Sequence, residues 1–130
     1  MKFKYVDCFL ECEGIPEGSE DFFCTIAIYY DTSHKIPDTD AYFSVTVASP
    51  LGVYNFFKKE KDHLKINKYR YWNPIIIFDT YDEKKIIDSV KEKFKSLSGK
   101  NENILKLYAM RFFDWEYQDD EVAINELIYG

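Results

Sequence analysis

Apolar and polar residues take turns over residues 3–13, with Val6, Cys8, Leu10 and Cys12 on one parity and Asp7, Phe9, Glu11 and Glu13 on the other. A period of two predicts a half-buried strand, and this parity points both cysteines inward. Gly14, Pro16, Gly18 and Ser19 mark a turn. The alternation then resumes with Phe22, Cys24, Ile26 and Ile28 against Phe23, Thr25, Ala27 and Tyr29. A polar loop from Asp31 to Asp40, containing Pro37, precedes a third alternating run in which Phe43, Val45 and Val47 oppose Tyr42, Ser44 and Thr46. Three such strands in succession predict an antiparallel meander with one buried face.

The period then changes. Ser49 is placed to cap a helix and Pro50 to occupy its first turn, where a missing N–H is no loss. Leu51, Tyr54 and Phe57 fall on one side of this short helix, which is expected to end in the lysine-rich stretch from Lys58. Asn73-Pro74 breaks the chain before Ile75, Ile76, Ile77 and Phe78, an apolar run that predicts a central strand buried on both faces. Asp82 caps the clearest helix, with Ile86, Ile87, Val90, Phe94 and Leu97 as its apolar stripe, lysines opposite and Gly99 closing it. A shorter helix is expected from Asn101 to Tyr108, and Phe113, Trp115 and Tyr117 alternate with Phe112, Asp114 and Glu116 in a last strand. The order βββ-α-β-α-α-β predicts an α+β fold: a mostly antiparallel sheet of about five strands with helices packed on one face and the other partly open. A chain of 130 residues fits one domain, with a core over about 3–118 and an acidic, aliphatic tail over 119–130.

Charge narrows the partners. The net charge is −6, unevenly spread. Residues 1–40 hold nine acids against three bases, residues 55–70 six bases against two acids, and residues 114–130 six acids and no base. Direct nucleic-acid binding is therefore not expected, and acidic ends suit a basic partner. Tyr69, Tyr71 and Trp72 beside Lys65, Lys68 and Arg70 form the one basic and aromatic interleaving, read chiefly as packing of Trp72 over the sheet edge. Tyr5, Phe9, Tyr29 and Tyr42 occupy the parity that should be wet, marking an interaction patch unless a helix or the tail residues Val122, Ile124, Leu127 and Ile128 cover them.

No signal peptide or membrane span is visible, and the odd count of three cysteines suits reduced thiols; both point to the cytosol. Neither His34 nor His63 has a zinc-spaced partner, Cys8-x3-Cys12 lacks a second ligand pair, and no phosphate-binding glycine loop or nucleophile elbow occurs. No cofactor or metal is expected. Asp114 and Glu116, two apart on a strand, could pair their carboxylates, although a solvent-facing strand edge accounts for them as well.

Three runs of residues together resemble a known family. Phe43-Ser44-Val45-Thr46-Val47-Ala48-Ser49-Pro50-Leu51 resembles the strand-to-helix junction of the bacterial immunity-eight family. Ile75-Ile76-Ile77-Phe78-Asp79-Thr80-Tyr81-Asp82 is similar to its central strand and the start of the next helix. Phe113-Asp114-Trp115-Glu116-Tyr117 resembles its closing strand. The likeness spans roughly residues 20–119; the tryptophan that often follows the family's proline is replaced here by Leu51, Gly52 and Val53. The resemblance implies a non-enzymatic antitoxin of a polymorphic or contact-dependent toxin system, binding a cognate toxin domain. A basic nuclease is one such toxin, its substrate cleft being open to an acidic plug. On charge, the expected contacts are Asp114, Glu116, Tyr117, Asp119, Asp120 and Glu121, with Glu17, Glu20 and Asp21 second. The competing readings are an adaptor with another protein target and an enzyme with a site of scattered carboxylates.

Overall fold

The computed structural model describes residues 1–37, 41–66, 75–117 and 119–130, with the backbone alone over 60–66. The first three strands are as the alternation predicts. β1 (Tyr5–Glu11) pairs antiparallel with β2 (Phe23–Asp31), Cys8 opposite Ile28. β2 pairs antiparallel with β3 (Tyr42–Ala48), Ile26 opposite Val45. β1 is the outer strand, pairing with β2 alone among the described residues. Val6, Cys8, Cys24, Ile26, Ile28, Tyr30, Phe43, Val45 and Val47 all lie on the inward parity and are all buried.

The expected cap and stripe also form α2 (Glu83–Ser96): the Asp82 carboxylate accepts from Lys85 N, and Ile86, Val90 and Phe94 are buried against the sheet. Covering three such side chains contributes roughly 5–9 kcal/mol before chain entropy is counted. Phe94 stacks on Phe3 at 4.5 Å and meets Phe43 and Phe113 edge-on at 5.4 and 5.2 Å. α2 ends before Gly99, which does not close it; Gly99 instead exchanges backbone hydrogen bonds with Met1. A Cβ on Gly99 would lie 2.6 Å from Leu105 N, so the bare backbone lets α3 (Glu102–Ala109) come close. Asn101 caps α3, and Leu105 and Ala109 join the core.

Three other elements depart from expectation. α1 (Pro50–Ile66) runs through the lysines instead of stopping at Lys58, since lysine is a good helix former. Its packing side is also not the predicted one: Leu51 and Tyr54 are exposed, while Phe56 stacks on Phe23 at 3.9 Å and Gly52 presses on the Phe22 backbone. β4 (Ile75–Ile77) is not central. It pairs parallel with β3 alone among the described residues, and Ile77 is half-exposed. The physical reason is that β3 divides its outer edge, giving Thr46–Ala48 to β4 and Phe43–Ser44 to the two-residue β5 (Asp114–Trp115), which is antiparallel to it. A mixed but mostly antiparallel five-stranded sheet results.

The tail is a helix, α4 (Glu121–Tyr129). It packs against α3 on the inner side of the sheet, with Leu127 buried, and so does not cover the aromatic residues of the opposite face. Tyr69, Arg70, Tyr71, Trp72, Lys68, Asn73-Pro74 and the side chains of His63 and Lys65 lie outside the described residues.

Candidate functional site

The expected contact acids are sorted into separate places by the fold. Asp114 stands opposite Ser44, on the outward parity of the sheet. Glu116 and Tyr117 follow it off the sheet, with Glu116 N bonded to Tyr42 O, and both side chains are exposed. Asp119, Asp120 and Glu121 turn the chain into α4. Asp120 is already engaged there: its carboxylate accepts from Val122 N and Ala123 N at 3.0 and 3.2 Å. Glu121 sits in the first turn of α4, where its charge favours the helix dipole.

Between α3, β5 and α4 runs an open groove of about 660 Å³, lined by Lys106, Trp115, Tyr117, Asp120, Glu126 and Leu127 among others. Its floor is fixed. Trp115 is buried, donates from Nε1 to the Tyr30 hydroxyl at 3.2 Å, and carries Tyr117 edge-on at 5.3 Å. Burial pushes the Tyr30 hydroxyl up to about 12, against the opposing influence of the Trp115 bond. Lys106 Nζ lies 5.9 Å from both the Tyr30 and Trp115 rings and 3.5 Å from Glu102, so its charge is already shared.

Glu17, Glu20 and Asp21 lie at the other end of the molecule. β3 meets Trp115 at Phe43 and Phe23 at Ala48, which puts the two acidic groups roughly 17 Å of strand apart. Glu17 accepts from Glu83 N at the start of α2, and Asp21 accepts from Asn55 Nδ2 of α1. The loop is held by Gly18 N to Tyr81 O and Tyr81 N to Ser19 O. These bonds gather Asp82, Glu83 and Asp88 beside Glu17. Sequence reading took Asp82 only as a cap and had no signal for this grouping, because it depends on the loop returning to Tyr81.

All three cysteines are free, and Cys8 and Cys24 are buried as read. Burial pushes the Cys8 thiol up to about 11 and the Cys24 thiol up to about 12, which suppresses thiolate reactivity. Cys12 is only half-buried and its Sγ lies 3.8 Å from the Tyr81 hydroxyl. Among the described residues no group of three or more His, Cys, Asp or Glu is placed to hold a metal, and no helix is long and apolar enough to cross a membrane.

The outward face of the sheet is the third surface. Phe9 meets Tyr29 edge-on at 5.6 Å, and Tyr29 meets Tyr42 at 5.8 Å. A shallow hollow of about 460 Å³ is lined by Tyr5, Phe9, Glu11, Ala27, Tyr29, Ile36 and Pro37. Phe9 is 53% and Ile36 75% exposed, although both are large apolar side chains.

Compared with known families, residues 15–120 match the one described as Immunity protein 8. No curated protein and no solved structure matches the chain.

Proposed function

The chain belongs to the Immunity protein 8 family, and we propose on that basis that it binds a cognate toxin domain and silences it by covering the surface the toxin works with. Family membership makes it an immunity protein of a toxin system with a toxin as partner. The finer reading concerns how, where and against which toxin. Inhibition is non-covalent and non-enzymatic, takes place in the cytosol of the producing cell, and is directed at a basic cleft such as that of a nuclease.

The observation that supports this reading is the C-terminal corner. There an exposed tyrosine, Tyr117, rests on a hydrogen-bonded tryptophan; Glu126 lines the same groove, and Glu116, Asp119 and Glu121 stand within four residues of Tyr117 in the chain, all at exposed positions. A pre-set aromatic plate loses little freedom on binding and supplies contact area. The carboxylates attract a cationic cleft and speed encounter. A cleft built to hold polyanionic nucleic acid has the opposite charge and would be occupied by the same contacts.

The test is calorimetric titration against the cognate toxin domain. Asp119→Lys with Glu121→Lys leaves the Asp120 cap in place and should weaken binding at least ten-fold, about 1.4 kcal/mol, with the fold retained by circular dichroism. Unchanged affinity in that double variant removes this corner from the interface. Failure of the wild-type chain to bind or inhibit the toxin removes the function.

A further inference from the structure

Two of the three thiols stand together. β1 and β2 pair as far as Glu11 opposite Thr25, and the next facing positions are Cys12 and Cys24. Both keep the inward parity, Cys24 buried and Cys12 half-buried against the core. The two thiols share a hydrogen bond, and Cys12 Sγ also lies 3.8 Å from the Tyr81 hydroxyl. Cys8 is out of reach: it faces Ile28, and four residues of strand, roughly 13 Å, separate it from Cys12.

Facing residues of an antiparallel pair have Cα atoms about 4.5 or 5.5 Å apart, and a disulfide accepts both spacings. Their Cβ atoms stand about 4.5–5.5 Å apart where a disulfide wants about 3.5–4.5 Å, so the chain must close by about an ångström. Cys24 is held on its other side by Val47 of β3, but β1 ends at Glu11 and leaves Cys12 outside the ladder to make that movement. Exposure divides the roles. A dissolved oxidant meets Cys12 first, and the sulfur next to it in the core is that of Cys24.

We propose that Cys12 and Cys24 form an oxidation site for hydroperoxides, with Cys12 as the sulfur attacked by the oxidant and Cys24 as the thiol that resolves it into a disulfide. The Cys12 sulfur, its proton released, attacks the O–O bond of the hydroperoxide; an S–O bond forms, the O–O bond breaks, and the departing alkoxide takes up a proton, leaving a sulfenic acid. Cys24 then attacks the Cys12 sulfur; the S–S bond forms, the S–O bond breaks, and hydroxide leaves with the Cys24 proton as water. Two thiols give up two electrons, and one hydroperoxide is reduced to an alcohol and water. The bond ties the end of β1 to the start of β2 and closes the loop carrying Glu17, Glu20 and Asp21, whose middle is already bound to Tyr81 through Gly18 and Ser19. None of this chemistry depends on the immunity reading.

The test treats the folded full chain with hydrogen peroxide at neutral pH. A product lighter by two hydrogens is expected, with a peptide map joining Cys12 to Cys24, Cys8 still open to alkylation after unfolding, and full reversal by dithiothreitol. The closed loop restrains the unfolded chain, so the urea midpoint of the oxidised protein should rise by roughly 1 M. Cys12→Ser should abolish the cross-link and leave Cys24 reduced. Cys24→Ser should stop at a sulfenic acid on Cys12 that dimedone traps; if that variant does not fold, the wild-type map and Cys12→Ser decide. Free thiols at both positions after an exposure that cross-links the urea-unfolded chain overturn the proposal. So does Cys12 driven to sulfinic acid beside an unchanged Cys24, or a cross-link between two chains in place of the internal one.

Discussion

Replacing Ser49 by alanine removes one oxygen from the place where strand, loop and helix meet. Ser49 is fully buried. Its Oγ accepts from Gly52 N at 3.0 Å, capping α1, and from Phe22 N at 3.1 Å, holding the entry to β2. Its own hydroxyl is directed at Phe22 O, 3.5 Å away. In Ser49→Ala the methyl group fits, but two N–H donors lose their acceptor at a place closed to water. Loss of the cap costs about 1 kcal/mol, and a second buried donor left without a partner costs roughly 1–3 kcal/mol more. The expected loss is thus about 2–4 kcal/mol. With a urea dependence of about 2 kcal/mol/M, the unfolding midpoint should fall by roughly 1–2 M with an unchanged slope. Buried Trp115 offers the fluorescence signal. Ser33→Ala is the control: the Ser33 hydroxyl accepts from Lys35 N in an exposed loop, so its loss should stay within about 0.5 kcal/mol. A Ser49→Ala midpoint equal to that of the control would refute the reasoning, since it would mean that both donors find another acceptor.

Two further outcomes follow from the same kind of argument. Asp120→Ala should loosen α4 by about 1 kcal/mol, seen as faster amide exchange at Ile124 and Leu127, while Asp120→Asn keeps the accepting oxygen and should not; equal exchange in both variants would show that the cap contributes nothing. Burial raises Cys8 to about 11 and both Cys24 and Tyr30 to about 12, so each is held in its neutral form by the fold. The folded state then binds more protons than the unfolded one at alkaline pH, and stability falls as pH rises. That stability is whole below the ordinary thiol value of 9.0 and drains between there and about 11; a urea midpoint that stays level across that window contradicts the assignment.

The parts legible in the sequence are those decided by neighbours along the chain. Alternation in residues 3–13 and 22–29 assigns inward and outward sides without knowledge of the partner strand. Asp82 with Ile86, Val90 and Phe94 carries both the start and the buried stripe of α2. Ile75–Phe78 shows the limit: four apolar letters imply cover, but not that β5 would take half of β3's edge and leave β4 outside. In α4 the signal was present, an aspartate cap, an acidic first turn and Ala123 four residues before Leu127, yet the acid run reads equally as a solvated tail. The acids were grouped by their spacing along the chain. The fold regroups them by strand parity and capping, turning Asp114 to the sheet face, binding Asp120 into a helix start and carrying Glu17 to α2. Ser49 was readable as a cap, but its bond to Phe22, 27 residues earlier, was not.

Among the described residues one side of β1 pairs with no strand, which bears on how copies of the protein meet each other. A bare strand margin offers its amides and carbonyls to any other chain that can lie alongside. Along and just beyond this margin come Asp7, Glu11 and Glu13. Lys91 offsets Asp7, but two molecules brought together there would still set Glu11 and Glu13 of one against those of the other, a repulsion that works against pairing margin to margin.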